Sequence, residues 1–180
     1  FTDSSGTTAN IADETFDLDA SGIEELTINK GSKKTTDDAV DILDLAGVTA
    51  STGSKTKLIV SGGDVSLKTI SSSFNVIDAS QAVGGITLAA ADRGSSALTI
   101  TGGRGDDDIT MENAADVIEA GLGTDTLQIS ANGVLGGWAI DLSSTTDQVS
   151  TFGGVGNSAV QTGFLNVTAS AVTGEFGVDV

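Results

Sequence analysis

The residues of this chain whose types and spacing suit chemistry best form a stretch rich in glycine and aspartate. In rows of nine it reads GGRGDDDIT (102–110), MENAADVIE (111–119) and AGLGTDTLQ (120–128). The sixth column of every row is an aspartate, namely Asp107, Asp116 and Asp125. Glycine backbone can turn carbonyl oxygens toward one point, and a carboxylate can close such a cage. Hard oxygen ligands of this kind select Ca²⁺ over a transition metal.

The eighth column of these rows is apolar, which indicates how the aspartates are brought together. It holds Ile109, Ile118 and Leu127, and Ile100 continues it one row upstream. An α-helix has no reason to hold a nine-residue period, whereas a parallel β-roll does, with six residues in a turn and three in a short strand. A complete coil takes two rows. Turn 102–107 is therefore predicted to lie against turn 120–125, with Asp107 and Asp125 facing one ion.

The rows resemble the RTX family, the calcium-binding repeats of secreted bacterial proteins with the consensus G-G-x-G-x-D-x-U-x, where U is a large aliphatic residue. Residues 102–110 match at every specified position, 120–128 miss only the first glycine, and 111–119 keep the aspartate and the aliphatic residue. The resemblance implies Ca²⁺ held by first- and third-position carbonyls and sixth-position carboxylates: Gly102, Arg104, Asp107, Ala120, Leu122 and Asp125. The other candidate ligands are Asp106, Asp108 and Asp116.

The alternative to a metal site is a metal-free glycine turn between two strands. The middle row has no good partner row at 93–98 or 129–134, which argues against a second ion at the opposite side of the roll. Without a cation the aspartates of these turns repel one another, so Ca²⁺ is expected to supply part of the folding free energy. We therefore expect disorder at low intracellular calcium and folding outside the cell.

Composition excludes several function classes. The chain has 180 residues with 25 acidic and 8 basic side chains, a net charge of −17, so it is not expected to bind nucleic acid or anionic lipid. It has no His and no Cys, which removes Ser-His-Asp and Cys-His nucleophiles and zinc fingers. No nucleophile–base pair can be named, so the chain is not expected to be an enzyme. The sequence contains no run of about 18 apolar residues, so it predicts no transmembrane helix.

The elements that must position the aspartates are predicted to be short strands. Apolar residues come in short alternating runs separated by Gly, Ser, Asn and Asp, which indicates an all-β fold. The runs are 25–28, 57–60, 74–77, 85–89, 97–100, 126–129, 138–142 and 164–167. The segment TTDDAVDILDLAG (35–47) reads as a helix or a strand, and strand is favoured slightly.

An internal repeat suggests the organisation of the chain. Residues 77–90 resemble 167–180, with Ala-Ser, glycine and apolar positions at shared offsets. We expect an N-terminal β region (1–76) and a region with the β-roll (77–180), or one continuous β domain. The fold class is thus a β-solenoid or parallel β-roll segment flanked by short-strand β repeats. The second copy stops within the repeat, so either the chain was cut there or another strand completes it.

RTX-like rows joined to long Ala/Ser/Thr/Gly-rich strands resemble bacterial S-layer proteins and other large surface proteins exported by type I secretion. The resemblance implies a secreted, extracellular structural protein: a calcium-dependent, self-assembling unit of a surface layer, matrix or filament. Its partners would be further copies that pair through strand edges, and a cell-surface glycan is a further option. Two alternatives stay open: a non-catalytic calcium-folding and secretion domain of a secreted enzyme, and an adhesin module.

Overall fold

Short runs of alternating apolar and polar residues form strands, because successive side chains of a strand face opposite sides of the sheet. The structure of the protein is a computed structural model that describes residues 15–31, 41–129, 137–169 and 176–179. Within these residues the chain forms β-strands and one 3₁₀ turn at Ala90–Asp92, and no α-helix. The predicted all-β class is confirmed.

The strands are short and are numbered here in chain order. They are β1 (Thr15–Asp17), β2 (Ala20–Ser21), β3 (Glu25–Lys30), β4 (Asp41–Asp44), β5 (Val48–Thr49), β6 (Thr56–Gly62), β7 (Val65–Lys68), β8 (Phe74–Ala82), β9 (Ile86–Leu88), β10 (Thr99–Thr101), β11 (Asp108–Met111), β12 (Val117–Glu119), β13 (Asp125–Ile129), β14 (Trp138–Asp141), β15 (Val149–Phe152), β16 (Val155–Gly156), β17 (Gln161–Thr162), β18 (Phe164–Ala169) and β19 (Phe176–Asp179).

Each alternating run that was predicted to be a strand lies in or overlaps one of these strands. The ambiguous segment 35–47 contains β4, so the strand interpretation is correct for the residues of β4. Residues 35–40 of that segment lie outside the described residues.

Two parallel sheets make up most of the described structure. The larger has seven strands in the order β1-β4-β7-β9-β11-β13-β18, and the other has six in the order β17-β12-β10-β8-β6-β3. From β6 to β13, successive strands alternate between the two sheets, and neighbours within each sheet run parallel. The finding is a pair of parallel sheets with the chain alternating between them. The β-solenoid, or parallel β-roll, stays a prediction.

The strands of the nonapeptide rows pair 18 residues apart. Ile100 is the register partner of Ile118 in one sheet, and Ile109 is the partner of Leu127 in the other. These four residues are the apolar eighth column, and their exposed fractions are 0–1%. Burying such a side chain stabilises a fold by about 1.5–3 kcal/mol relative to leaving it exposed. The column thus supplies two stacks of core residues that fix the register of the turns between them.

The two copies of the internal repeat differ in their partners. In the first copy, β8 joins the six-stranded sheet and β9 the seven-stranded sheet. In the second, β18 joins the seven-stranded sheet, while β19 pairs in parallel with β14 in a four-stranded sheet, order β16-β15-β14-β19. Residues 170–175 between them lie outside the described residues. The strand at 176–179 therefore has a partner within its own chain.

Strands from both sides of residue 76 share the two large sheets. The boundary suggested between regions 1–76 and 77–180 falls inside β8, which pairs with β6 on one side and β10 on the other. No helix in the described residues is long and apolar enough to span a membrane.

Candidate metal centre

Two stacked turns carry the candidate ligands. Residues 102–107 lead from β10 into β11, and residues 120–124 lead from β12 into β13. The backbone N–H of Leu122 donates to the carbonyl of Gly103 at 2.9 Å, and the N–H of Thr126 donates to the carbonyl of Asp107 at 2.8 Å. The second turn therefore lies against the first, in hydrogen-bond contact.

The glycines of the first turn allow the second turn to approach it closely. A side chain on Gly102 would collide with the carbonyl oxygen of Ala120 and with Oδ2 of Asp107. In the part of the chain that the structure describes, no glycine of 102–105 has a positive φ, whereas Gly121 and Gly123 have φ of 101° and 139°. Of the two properties that glycine offers, positive φ and close backbone approach, the first turn uses the second, because it needs the missing Cβ atoms.

Asp107 is buried at the centre of this stack, with an exposed fraction of 1%. Its Oδ1 accepts the N–H of Ile86 at 2.7 Å, and its Oδ2 accepts the N–H of Gly103 at 3.0 Å. Burial raises the pKa of Asp107 from 3.8 to about 6, and the nearby charges of Asp125 and Asp106 add to the rise. The two hydrogen bonds oppose it only in part. The ionised carboxylate is therefore held in a place that disfavours its charge.

Asp125 is fully buried and reaches back to the first turn. Its Oδ1 accepts the backbone N–H of Asp107 at 2.8 Å. Its Oδ2 is buried and has no hydrogen-bond partner. Burial raises the pKa of Asp125, and the charge of Asp106 acts in the same direction. A buried carboxylate oxygen without a partner is costly, and a cation is the kind of group that removes this cost.

Backbone carbonyls lie close to each of the two carboxylates. The carbonyl oxygen of Ala120 and Oδ2 of Asp107 both crowd the point where a Cβ on Gly102 would stand. The carbonyl oxygen of Gly105 and Oδ1 of Asp125 crowd the corresponding point on Gly123, the latter at 3.1 Å. Among the described residues, no hydrogen bond ends on four of the candidate carbonyl oxygens, those of Gly102, Arg104, Ala120 and Leu122. These oxygens are free to bind an ion.

Asp106 and Asp108 flank Asp107 but make other contacts. Asp106 is exposed, and its Oδ1 accepts the N–H of Thr124 at 2.8 Å. Asp108 belongs to β11, where alternation turns its side chain to the sheet face opposite Asp107. Its Oδ2 accepts Nε2 of Gln128 at 2.9 Å, and its Oδ1 is buried without a partner. Asp106 thus adds negative charge near the two buried carboxylates, whereas Asp108 points away from them.

Asp116, the remaining aspartate of the sixth column, pairs with Arg93. It lies in the turn between β11 and β12, at the opposite end of the strands from the turns of Asp107 and Asp125, and this turn is called the opposite edge below. Arg93 Nη1 donates to Asp116 Oδ2 at 2.9 Å and Nη2 to Oδ1 at 3.0 Å, with both side chains 0% exposed. Three backbone N–H groups also donate to this carboxylate, those of Leu98, Glu112 and Asn113, at 2.8 Å, 3.1 Å and 3.0 Å. The carboxylate is saturated, so we leave Asp116 out of the metal site.

Sequence reasoning missed Arg93 and also Asp64. Arg93 is the first residue of row 93–101, and Asp116 belongs to the row that begins 18 residues later. This two-row spacing is the sequence feature that could have placed Arg93 near Asp116. Asp64 follows the glycine pair of SGGD (61–64), and its Oδ1 accepts the N–H of Gly85 at 2.8 Å. An aspartate after paired glycines therefore recurs in an earlier turn.

The residues of the two turns that carry Asp107 and Asp125, called the first edge below, fit Ca²⁺. Two buried carboxylates, one with an unpartnered oxygen, lie beside carbonyls that accept no hydrogen bond, and all donors are hard oxygens. No group of three or more Asp, Glu, His or Cys side chains that could hold a metal occurs among the described residues. The candidate centre therefore depends on two carboxylates supplemented by backbone carbonyls.

Comparison with protein-family models, with curated proteins and with solved structures found no match to this chain.

Proposed function

We propose that this chain is a calcium-dependent extracellular structural protein, a self-assembling unit of a bacterial surface layer, matrix or filament, built around a parallel β-roll. One observation carries the calcium dependence: Oδ2 of Asp125 is buried without a partner, while Oδ1 of the same carboxylate accepts the backbone N–H of the buried Asp107. The roll is supported by the alternation of strands between two parallel sheets and by the 18-residue register.

In this proposal Asp107 and Asp125 hold the ion together with carbonyl oxygens of the two turns. Bound Ca²⁺ neutralises the negative charge of the two buried carboxylates. Because the folded chain alone presents these ligands together, binding stabilises it, by about 2.7 kcal/mol when free calcium is 100 times the dissociation constant. Folding would thus follow the calcium concentration.

The extracellular location and the type I-like export rest on the RTX resemblance. A chain whose folded state is less stable at low calcium is suited to export in an unfolded state, and higher calcium outside then favours folding. The net charge of −17 acts in the same direction, since self-repulsion disfavours the compact state until cations bind. Calcium binding and the relief of charge repulsion both favour folding where calcium is abundant, outside the cell.

Self-assembly is supported by the open edges of the sheets. In the described part of the chain, β18 is an outermost strand of the seven-stranded sheet and β3 of the six-stranded sheet. Leu165 of β18 is 60% exposed. An outermost strand leaves N–H and C=O groups free to pair with another chain, and repeated head-to-tail pairing gives fibres or sheets.

The second candidate function is a non-catalytic calcium-folding domain of a secreted enzyme. It is favoured by the pairing of β19 with β14, because a strand with a partner in its own chain has less need of another copy. The adhesin alternative has less support. Trp138 is 3% exposed and packs edge-on against Phe152, with ring centroids 4.5 Å apart, so these rings form no sugar platform.

Electron microscopy of the purified chain distinguishes the two candidates. With Ca²⁺ we expect ordered lattices or filaments, and with a chelator, or with Mg²⁺ at equal concentration, we expect dispersed chains. Asp125→Asn serves as the site variant and should fail to assemble in Ca²⁺, whereas Glu119→Gln, which removes one exposed charge, should assemble. Dispersed, folded particles under every condition would favour the accessory-domain function.

A further inference from the structure

At both edges of the nonapeptide segment, Oδ1 of a buried aspartate accepts a hydrogen bond from a backbone N–H. At one edge, Asp125 Oδ1 accepts the N–H of Asp107 at 2.8 Å. At the other, Asp116 Oδ1 accepts the N–H of Leu98, also at 2.8 Å. In both cases the donor lies 18 residues before the aspartate and in the sixth column of its own row. Asp116 and Asp125 are therefore structural equivalents on opposite edges.

The difference between the edges is the partner of the second carboxylate oxygen. Oδ2 of Asp125 is buried without a partner. Oδ2 of Asp116 accepts Arg93 Nη1 at 2.9 Å, in addition to two backbone N–H groups. A cationic group thus occupies one edge where the other presents an uncompensated oxygen.

The surroundings of Arg93 are those of a cation site. Besides both oxygens of Asp116, its guanidinium donates to the carbonyls of Thr110 and Ser96, each at 3.0 Å, and to the carbonyl of Gly94 at 3.4 Å. Carboxylate and backbone carbonyl oxygens are also the ligand types that the turns of Asp107 and Asp125 offer to Ca²⁺. The arginine side chain is fully buried, and its guanidinium group carries a positive charge with five N–H donors in a planar fork.

We propose that Arg93 is a resident cation that takes the place of a metal ion at the Asp116 edge, and so confines calcium binding to the Asp107–Asp125 edge. The contrast with calcium rests on the proposed function, whereas the role of Arg93 at its own edge stands on the hydrogen bonds above. The chain then has one edge that needs an external cation and one that carries its own. The β10–β12 pairing at the Arg93 edge is stable without calcium.

Chemical rescue of Arg93→Ala tests this proposal. The variant leaves Asp116 buried and unpaired, so its melting temperature should fall by roughly 10 °C, equally in Ca²⁺ and in chelator. Guanidinium at low millimolar concentration should restore much of the loss, and urea at the same concentration, which has the shape without the charge, should not. Equal recovery with urea, no recovery with guanidinium, or recovery with Ca²⁺ alone would each overturn the proposal.

Two further variants keep the test decisive if Arg93→Ala does not fold. Arg93→Lys keeps the charge and loses the forked geometry, and it should be less destabilised than Asp116→Asn, which leaves the arginine without its anion. Calorimetric titration of the folded wild type, Asp125→Asn and Asp116→Asn then counts the calcium sites. Asp125→Asn should lose calcium binding and Asp116→Asn should keep it. Calcium that binds the wild type and is lost with Asp116→Asn would overturn the role of Arg93.

The two hypotheses fail in different ways. If the wild type binds no calcium but guanidinium rescues Arg93→Ala, the proposed function fails and the resident cation stands. If the wild type loses calcium binding with Asp125→Asn but Arg93→Ala melts like the wild type, the resident cation fails and the calcium site stands.

Discussion

The carboxylate of Asp125 accepts a hydrogen bond from the backbone N–H of Asp107 at 2.8 Å and keeps its other oxygen buried without a partner. This contact joins two turns whose strands pair 18 residues apart, so the position of one aspartate depends on the register of the whole stack. Both carboxylates are buried among backbone groups and lie close to a third, Asp106. The fold thus concentrates negative charge at a place that it also removes from water.

Asp125→Asn should change stability in opposite directions with and without calcium. The amide keeps the acceptor for the Asp107 N–H and removes the buried charge, so in chelator the variant should melt at or above the wild-type temperature. In saturating Ca²⁺ it should melt lower, because the stabilisation by bound ion is lost. Differential scanning calorimetry in both buffers measures this. Glu119→Gln, at an exposed position, is the matched control and should show neither shift.

In the calcium-free protein, the contribution of Asp107 to stability should fall as the pH rises from about 4 to 6. The folded-state pKa of Asp107 is raised from 3.8 to about 6, so its contribution is greatest below pH 3.8 and is lost as the pH rises through the folded-state pKa. This shift corresponds to roughly 3 kcal/mol. Calcium requires the ionised carboxylate, so its stabilisation should grow over the same interval.

Urea denaturation at several pH values, with Asp107→Asn as the reference, isolates this effect from the other carboxylates. Asp78, whose pKa is lowered by its hydrogen bonds from Ser80 and Lys57, contributes with the opposite sign in both proteins. A wild type whose stability relative to Asp107→Asn does not change with pH would contradict the assignment.

Gly102→Ala should abolish the native fold of the two turns. The added Cβ would collide with the carbonyl oxygen of Ala120 and with Oδ2 of Asp107, so the two turns could not approach. Gly156→Ala is the matched control, because nothing lies within 4 Å of a Cβ at that position. Circular dichroism in Ca²⁺ should show a native spectrum for the control and a loss of structure for Gly102→Ala. Native spectra for both would show that close approach is not required.

Ile109→Ala should cost about 2–5 kcal/mol of unfolding free energy, because it removes a fully buried side chain from the apolar eighth column. Val117→Ala, at a position 41% exposed, should cost well under half of that. Both values come from denaturant unfolding in saturating calcium. Equal effects would contradict the orientation of the column toward the core.

The sequence was most informative where one local pattern repeats. The apolar eighth column predicts which residues of the nonapeptide rows are buried and how far apart their strands pair, since each row is a complete turn and strand. The strand runs elsewhere were also predictable, because alternation over four or more residues reflects one buried and one exposed face.

Contacts between distant segments could not be predicted in this way. The pairing of β19 with β14 is set by how intervening chain folds back, and its repeat copy at β9 has different neighbours. Arg93 carries no consensus that marks it as buried, and an arginine near the surface is the commoner case. The 18-residue spacing places rows 93–101 and 111–119 together, but no residue type in either row marks Arg93 and Asp116 as an ion pair.

The most direct test of the central claim is an anomalous difference map from crystals grown with Ca²⁺. We predict a peak between the two turns, about 2.3–2.6 Å from carboxylate oxygens of Asp107 and Asp125 and from backbone carbonyls of residues 102–105 and 120–123. Two ordered turns with these carboxylates in place and no peak between them would contradict the account.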